Sequence, residues 1–191
     1  PYRRQRQMCI RDSNMGIRTV RTEGDECLRK VCKPVKSVSL RTRILIEDMF
    51  DTMYESGGVG LAAPQIGVLK RIVVMDTDDN QHVLINPQIL EVSGEQTGYE
   101  GCLSIPGKSG IVTRPDYVKV KALNERGEEY VLEGEGLLAR CICHECDHLD
   151  GILYSDKAEG GLINNEDLPE DEEEELYEDA YEEFTEEEIH K

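Results

Sequence analysis

The chain has 191 residues, is 32% charged and carries a formal net charge of -18. That length suits a single domain with a sizeable core. No apolar run is long enough to cross a bilayer as a helix, and no stretch near the start reads as a secretory signal. No basic patch invites nucleic-acid phosphates. The expectation is a monomeric, cytoplasmic protein with neither nucleic acid nor membrane as a partner. The acid is unevenly placed. Residues 159–191 hold 16 of the 40 acids and one of the 22 Lys and Arg, so this stretch carries -15 and the rest about -3. Seven cysteines, an odd number, fit free thiols or metal ligands in a reducing compartment better than a disulfide framework.

At the start, Met8 to Ser13 (MCIRDS) resembles the translated end of a sequencing-library adapter. Residues 1–14 are therefore expected to be a non-native leader, with Met15 as the natural start. Residues 39–56 predict a helix: Ser39 suits the N-cap, and Leu45, Ile46, Met49, Phe50 and Met53 recur at helical spacing. Gly57 and Gly58 end it. Strand-like runs follow at Arg71 to Met75, His82 to Ile85 and Gln88 to Val92. Tyr117 to Leu123 alternates as a half-buried strand would, and Arg126-Gly127 turns it toward Glu129 to Leu132. A second helix is predicted from about Gly136 to Leu149. Strands clustered between helices indicate an α+β fold, with antiparallel sheets packed around a central helix and a further helix on the N-terminal side. Residues 15–157 would form this domain. Residues 158–191 are expected to be a disordered acidic tail, because highly charged sequence cannot offset its ordering entropy by burial. Leu176, Tyr177, Ala180, Tyr181, Phe184 and Ile189 offer at most a weak terminal helix.

The second helix contains His144-Glu145-Cys146-Asp147-His148, an HExxH sequence. On a helix the two imidazoles lie one turn apart, separated by roughly 6 Å along the axis, so both reach one ion while Glu145 reaches water beside it. His148 falls roughly 40° from His144 around the axis and Cys141 roughly 60° to the other side, whereas Cys143 and Cys146 point away. Cys141 therefore lines the pocket or acts as a ligand, and Cys143 and Cys146 read as small core residues. A catalytic ion usually takes a third protein ligand and keeps one position open. The segment Glu100-Gly101-Cys102-Leu103-Ser104 is the natural place to seek that ligand.

Gly58, Gly60 and Ala63 fit the dinucleotide pattern GxGxxA, but they follow a helix and no βαβ unit surrounds them, so a nucleotide site is rejected. Backbone around Gly58, Val59 and Gly60 can instead approach an extended peptide closely. Glu100 or Asp147 could orient a ligating imidazole through its second nitrogen, or make a structural ion pair. Arg114 is a candidate contact for a bound peptide.

Three segments in order, Gly58-Val59-Gly60-Leu61-Ala62-Ala63-Pro64-Gln65, Glu100-Gly101-Cys102-Leu103-Ser104 and His144 to His148, closely resemble the motifs of the peptide deformylase family. The resemblance spans roughly Gly24 to Asp156. It implies that Cys102, His144 and His148 hold one divalent ion, Fe2+ being expected and Zn2+, Ni2+ or Co2+ able to replace it. It also implies that Glu145 is the catalytic base and that Gln65 and the backbone N–H of Leu103 stabilise an oxyanion. The substrate would be a formyl-methionyl peptide or nascent chain, with Gly58, Val59, Gly60, Gly101, Arg114 and Cys141 expected near it. Two other readings remain: a metallopeptidase, and a zinc module closed by Cys141, Cys143 or Cys146. Some family members bind the ribosome through a basic C-terminal helix. Here the acidic tail would be repelled by RNA phosphates, so any transient ribosome proximity would not run through it.

Overall fold

A computed structural model describes residues 16–169. The expected leader and the weak terminal helix lie outside the described residues. Helix α1 (Leu40–Glu55) begins where Ser39 Oγ accepts the Thr42 N–H at 3.3 Å, with Thr42 returning the bond as a capping box. It ends at Gly57, whose φ of 68° few other residues adopt readily. Ile46, Met49 and Met53 are buried, and Leu45 and Phe50 pack against the same cluster.

Five strands form the larger antiparallel sheet in the order β1 (Gly60–Ala62), β2 (Ile72–Thr77), β3 (Asn80–Ser93), β6 (Tyr117–Leu123) and β7 (Glu129–Glu135). Successive side chains of β2 separate to opposite faces. Ile72 and Val74 join α1, while Val73 and Met75 join helix α2 (Gly136–Leu149). On β6 the same alternation buries Val118, Val120 and Ala122. Each fully buried aliphatic side chain contributes about 1.5–3 kcal/mol to this core.

The two runs expected at 82–85 and 88–92 belong to one strand, β3. Asn86 interrupts its regularity with a φ of 52°, and the register against β6 shifts between Ile85 and Gln88. The Asn86 side chain brackets Val35, accepting its N–H and donating to its carbonyl, both at 2.8 Å.

A second, three-stranded antiparallel sheet runs in the order β4 (Gln96–Cys102), β5 (Ile105–Arg114) and β8 (Glu159–Asn164). None of these strands is expected from the pattern of apolar residues. Strand β8 corrects the boundary of the acidic tail, because Lys108 pairs with Asn164 and Ser109 with Ile163. Backbone pairing to β5 replaces the apolar alternation that this stretch lacks. Ala158 and Leu162 pack against the cluster of Leu28, Ile105, Val112, Leu153 and Tyr154, and Leu168 is also buried. Among the described residues, no helix is long and apolar enough to cross a membrane.

Candidate metal centre and active site

One stripe of α2, namely Leu137, Arg140, Cys141, His144 and Glu145, faces a cavity of about 710 Å³. The opposite stripe, with Ile142, Cys143, Cys146 and Leu149, packs on the five-stranded sheet. The helix thus divides its residues between chemistry and stability. Across the cavity lie the Gly58–Gly60 backbone, Gln65 and the β4–β5 hairpin with Gly101, Cys102 and Leu103.

Cys102 sits at the end of β4, where the register against β5 slips between Gly101 and Cys102. Such an irregularity re-aims a side chain. The Cys102 thiol lies 3.3 Å from His148 Nε2, and the ligand atoms of Cys102, His144 and His148 all fall within 4.8 Å of one another. Cys141 is outside this triad, its Sγ 3.9 Å from the Val59 carbonyl. Burial raises its thiol well above the ordinary range, with the Glu145 charge adding to the effect.

Glu100 resolves which acid holds the histidine. Its buried carboxylate lies 3.0 Å from His144 Nδ1, leaving Nε2 of that ring for the site. Asp147 instead pairs with Arg114 Nη1 at 2.6 Å and Lys157 Nζ at 2.7 Å. Glu100 also accepts from Arg114 Nε at 2.8 Å, Arg114 Nη2 at 3.0 Å and Arg140 Nη1 at 3.0 Å. Burial alone would raise the Glu100 carboxyl, but the bonds from His144 and Arg114 prevail and hold it well below its ordinary value.

Arg114 is not among the residues that line the cavity. It is 3% exposed and fully committed to Glu100 and Asp147, so its expected substrate role is corrected to one of support beneath the site. Arg114 ends β5 with its side chain turned inward.

Gln65 is fixed by its own neighbourhood. Its Oε1 accepts the Ala62 N–H at 2.9 Å, which directs Nε2 toward Ser104 Oγ at 3.2 Å and Cys102 Sγ at 3.5 Å. A neutral donor is therefore held beside Cys102. Glu145 is 4% exposed, and burial pushes its carboxyl up to about 7. A Cβ on Gly60 would stand 2.5 Å from Glu145 Oε1 and 2.9 Å from Cys141 Sγ, so glycine there is required by the carboxylate pressed against it. Gly58, Val59, Gly60, Gly101 and Cys141 all line the cavity, as does Leu103.

Two observations show that the donor set suits a cation. The Glu100 carboxylate lies 3.0 Å from His144 Nδ1 and the Cys102 thiol 3.3 Å from His148 Nε2, so two groups able to carry negative charge gather around the imidazoles. Glu145 Oε2 is buried and, among the described residues, has no hydrogen-bond partner.

Sequence reasoning missed Arg140 and Tyr154. Arg140 precedes His144 by one turn on the same stripe, which could have flagged it. Tyr154 stacks on His144 with ring centroids 6.0 Å apart, a contact that helical spacing does not reveal.

Residues 17–161 match the family model for polypeptide deformylase. Peptide deformylase of Agathobacter rectalis is 61% identical over 78% of this chain and 94% of its own length. That of Lachnoclostridium phytofermentans is 55% identical over 84% of this chain and 100% of its own. Among solved structures, peptide deformylase from Thermotoga maritima superposes with a TM-score of 0.73 at 42% identity, covering 75% of this chain and 98% of that one. The Synechococcus elongatus enzyme in complex with actinonin gives 0.72 at 39% identity and 84% of each chain. The chain therefore belongs to the peptide deformylase family, hydrolases that remove the N-formyl group from newly made polypeptides.

Proposed function

We propose that Cys102, His144 and His148 hold one divalent ion, Fe2+ in the cell with Zn2+, Ni2+ or Co2+ able to replace it, and that Glu145 moves the proton during hydrolysis of formyl-methionyl peptides. The observation that carries this reading is the meeting of three ligand atoms within 4.8 Å beside a buried carboxylate and a fixed amide donor. When bound, the ion supplies Lewis acidity, polarising a carbonyl and acidifying water.

The chain's own groups supply the rest. Glu145 takes the proton from the attacking water, and a carboxyl pushed up to about 7 can hold it near neutral pH. Gln65 Nε2 and the Leu103 N–H donate to the oxyanion that develops on the formyl oxygen. Glu145 then delivers the proton to the departing amine nitrogen as the C–N bond breaks, giving formate and a free amino terminus. The Gly58–Gly60 backbone receives the peptide main chain. Cys141, with the neighbouring helix residue Leu137, forms part of the methionine pocket, and Gly101 keeps the opposing wall free of a side chain. The protein acts as a cytoplasmic monomer on nascent chains, without using its acidic tail to reach the ribosome.

The test is anaerobic purification and loading with iron, nickel or cobalt, followed by formate release from a formyl-methionyl tripeptide. Metal-dependent release is expected. No release with any of the three metals would overturn the reading.

A further inference from the structure

The histidine ligands and the cysteine ligand arrive on different elements, α2 and the β4–β5 hairpin, and their separation depends on the non-covalent links between them. Glu100 provides one link, holding His144 at its Nδ1 edge. A second comes from beyond the helix. Tyr154 opens the short turn Tyr154–Asp156, is 1% exposed, and lays its ring over His144 at 6.0 Å with an interplanar angle of 27°. The same side chain donates its hydroxyl to the Lys108 carbonyl at 3.0 Å. Lys108 lies on β5, next to Ser109, which pairs with Gly101 immediately before the ligand Cys102. One residue therefore touches the face of a ligand ring and the backbone of the hairpin that delivers another ligand.

Its own position is well determined. Asp156 accepts the Leu153 N–H at 3.0 Å and a bond from Arg29 Nη2 at 3.2 Å, and the Lys157 N–H closes the turn onto the Tyr154 carbonyl at 2.9 Å.

We propose that Tyr154 is a positioning residue that sets the Cys102 hairpin against His144, the ring fixing the imidazole plane and the hydroxyl fixing the hairpin. This rests on the metal assignment made above but not on the identity of the substrate. Groups that orient ligands from behind commonly change metal affinity by about 10- to 100-fold when removed. Tyr154→Phe keeps the ring and removes the hydroxyl, and Tyr154→Leu removes both.

The experiment measures Zn2+ affinity by chelator competition and the visible absorption of the Co2+-loaded protein for wild type, both Tyr154 variants and Val120→Ala. Val120 is buried under α2 but away from the cavity, so its variant reports a general loss of stability. Tyr154→Phe should bind Zn2+ about tenfold more weakly with a shifted Co2+ spectrum, lowering kcat more than KM. Val120→Ala should melt earlier yet keep wild-type affinity and spectrum. Wild-type affinity and spectrum in Tyr154→Phe would overturn the proposal, as would an equal loss in Val120→Ala or the absence of stoichiometric Zn2+ in wild type. Should Tyr154→Leu not fold, Tyr154→Phe decides alone. Loss of formate release by wild type with normal metal binding would strike the deformylase reading and leave this one standing.

Discussion

The two sheets of this protein are built from different kinds of sequence. The five-stranded sheet follows the period of a half-buried strand, with Val118, Val120 and Ala122 inside and Tyr117, Lys119 and Lys121 at the surface. The three-stranded sheet is rich in glycine and polar residues: QTGYEGC, IPGKSGIVTR and EGGLIN. It nevertheless delivers Cys102, Glu100 and Arg114 to the site. Stability is concentrated where the apolar pattern is strong, and chemistry where backbone shape matters more than side-chain burial. Helix α2 serves both, with one stripe on each side.

The largest stability effect should come from the joint between the two regions. Arg114→Met would leave Glu100 and Asp147 without their buried partner and is expected to cost about 4 kcal/mol in denaturant unfolding. A loss below about 1 kcal/mol would mean that Arg140 and Lys157 suffice and that the two regions are only weakly coupled.

Next is Ile142→Ala, on the stability stripe of α2. It should cost about 3 kcal/mol by leaving a cavity, while metal content stays stoichiometric at temperatures where the variant is folded. Metal loss without unfolding would break the division between stripes.

Gly110→Val probes the second sheet by itself. A Cβ there meets Ala158 Cβ and Leu162 Cδ2, both at 2.8 Å, so about 2 kcal/mol of strain should loosen β8. Hydrogen exchange should accelerate over residues 159–164 and stay unchanged on β6; unchanged protection of β8 would contradict its packing.

The smallest effect concerns pH. Asp156 is held below its ordinary value by the Arg29 bond, with the Leu153 N–H assisting. A depressed folded-state value means that its contribution is complete above the unfolded-state pKa of about 4 and fades as pH falls through the folded-state value. Asp156→Asn should slightly flatten the acid limb of the stability profile; an identical limb would remove Asp156 from the account.

The same contrast explains how far the sequence could be read. The cap at Ser39 and the alternation of Tyr117 to Leu123 report local rules, and both elements form where those rules place them. β4, β5 and β8 owe their existence to pairing with one another, and the acid-rich sequence of residues 170–191 concealed the strand that precedes it. In the site, helical spacing brought His144 and His148 together, and the order of three motifs pointed to Cys102 and Gln65. Arg114 was misplaced because its burial depends on two acids 14 and 33 residues away. Tyr154 was missed because a ring stacked on His144 leaves no spacing signature.

The central claim is that Glu145 moves the proton at a metal site it does not itself build. Single-turnover formate release by metal-replete Glu145→Gln tests it most directly. Full metal occupancy with release slowed about 100- to 10,000-fold is the expected result, and near-wild-type release from the fully loaded variant would contradict it.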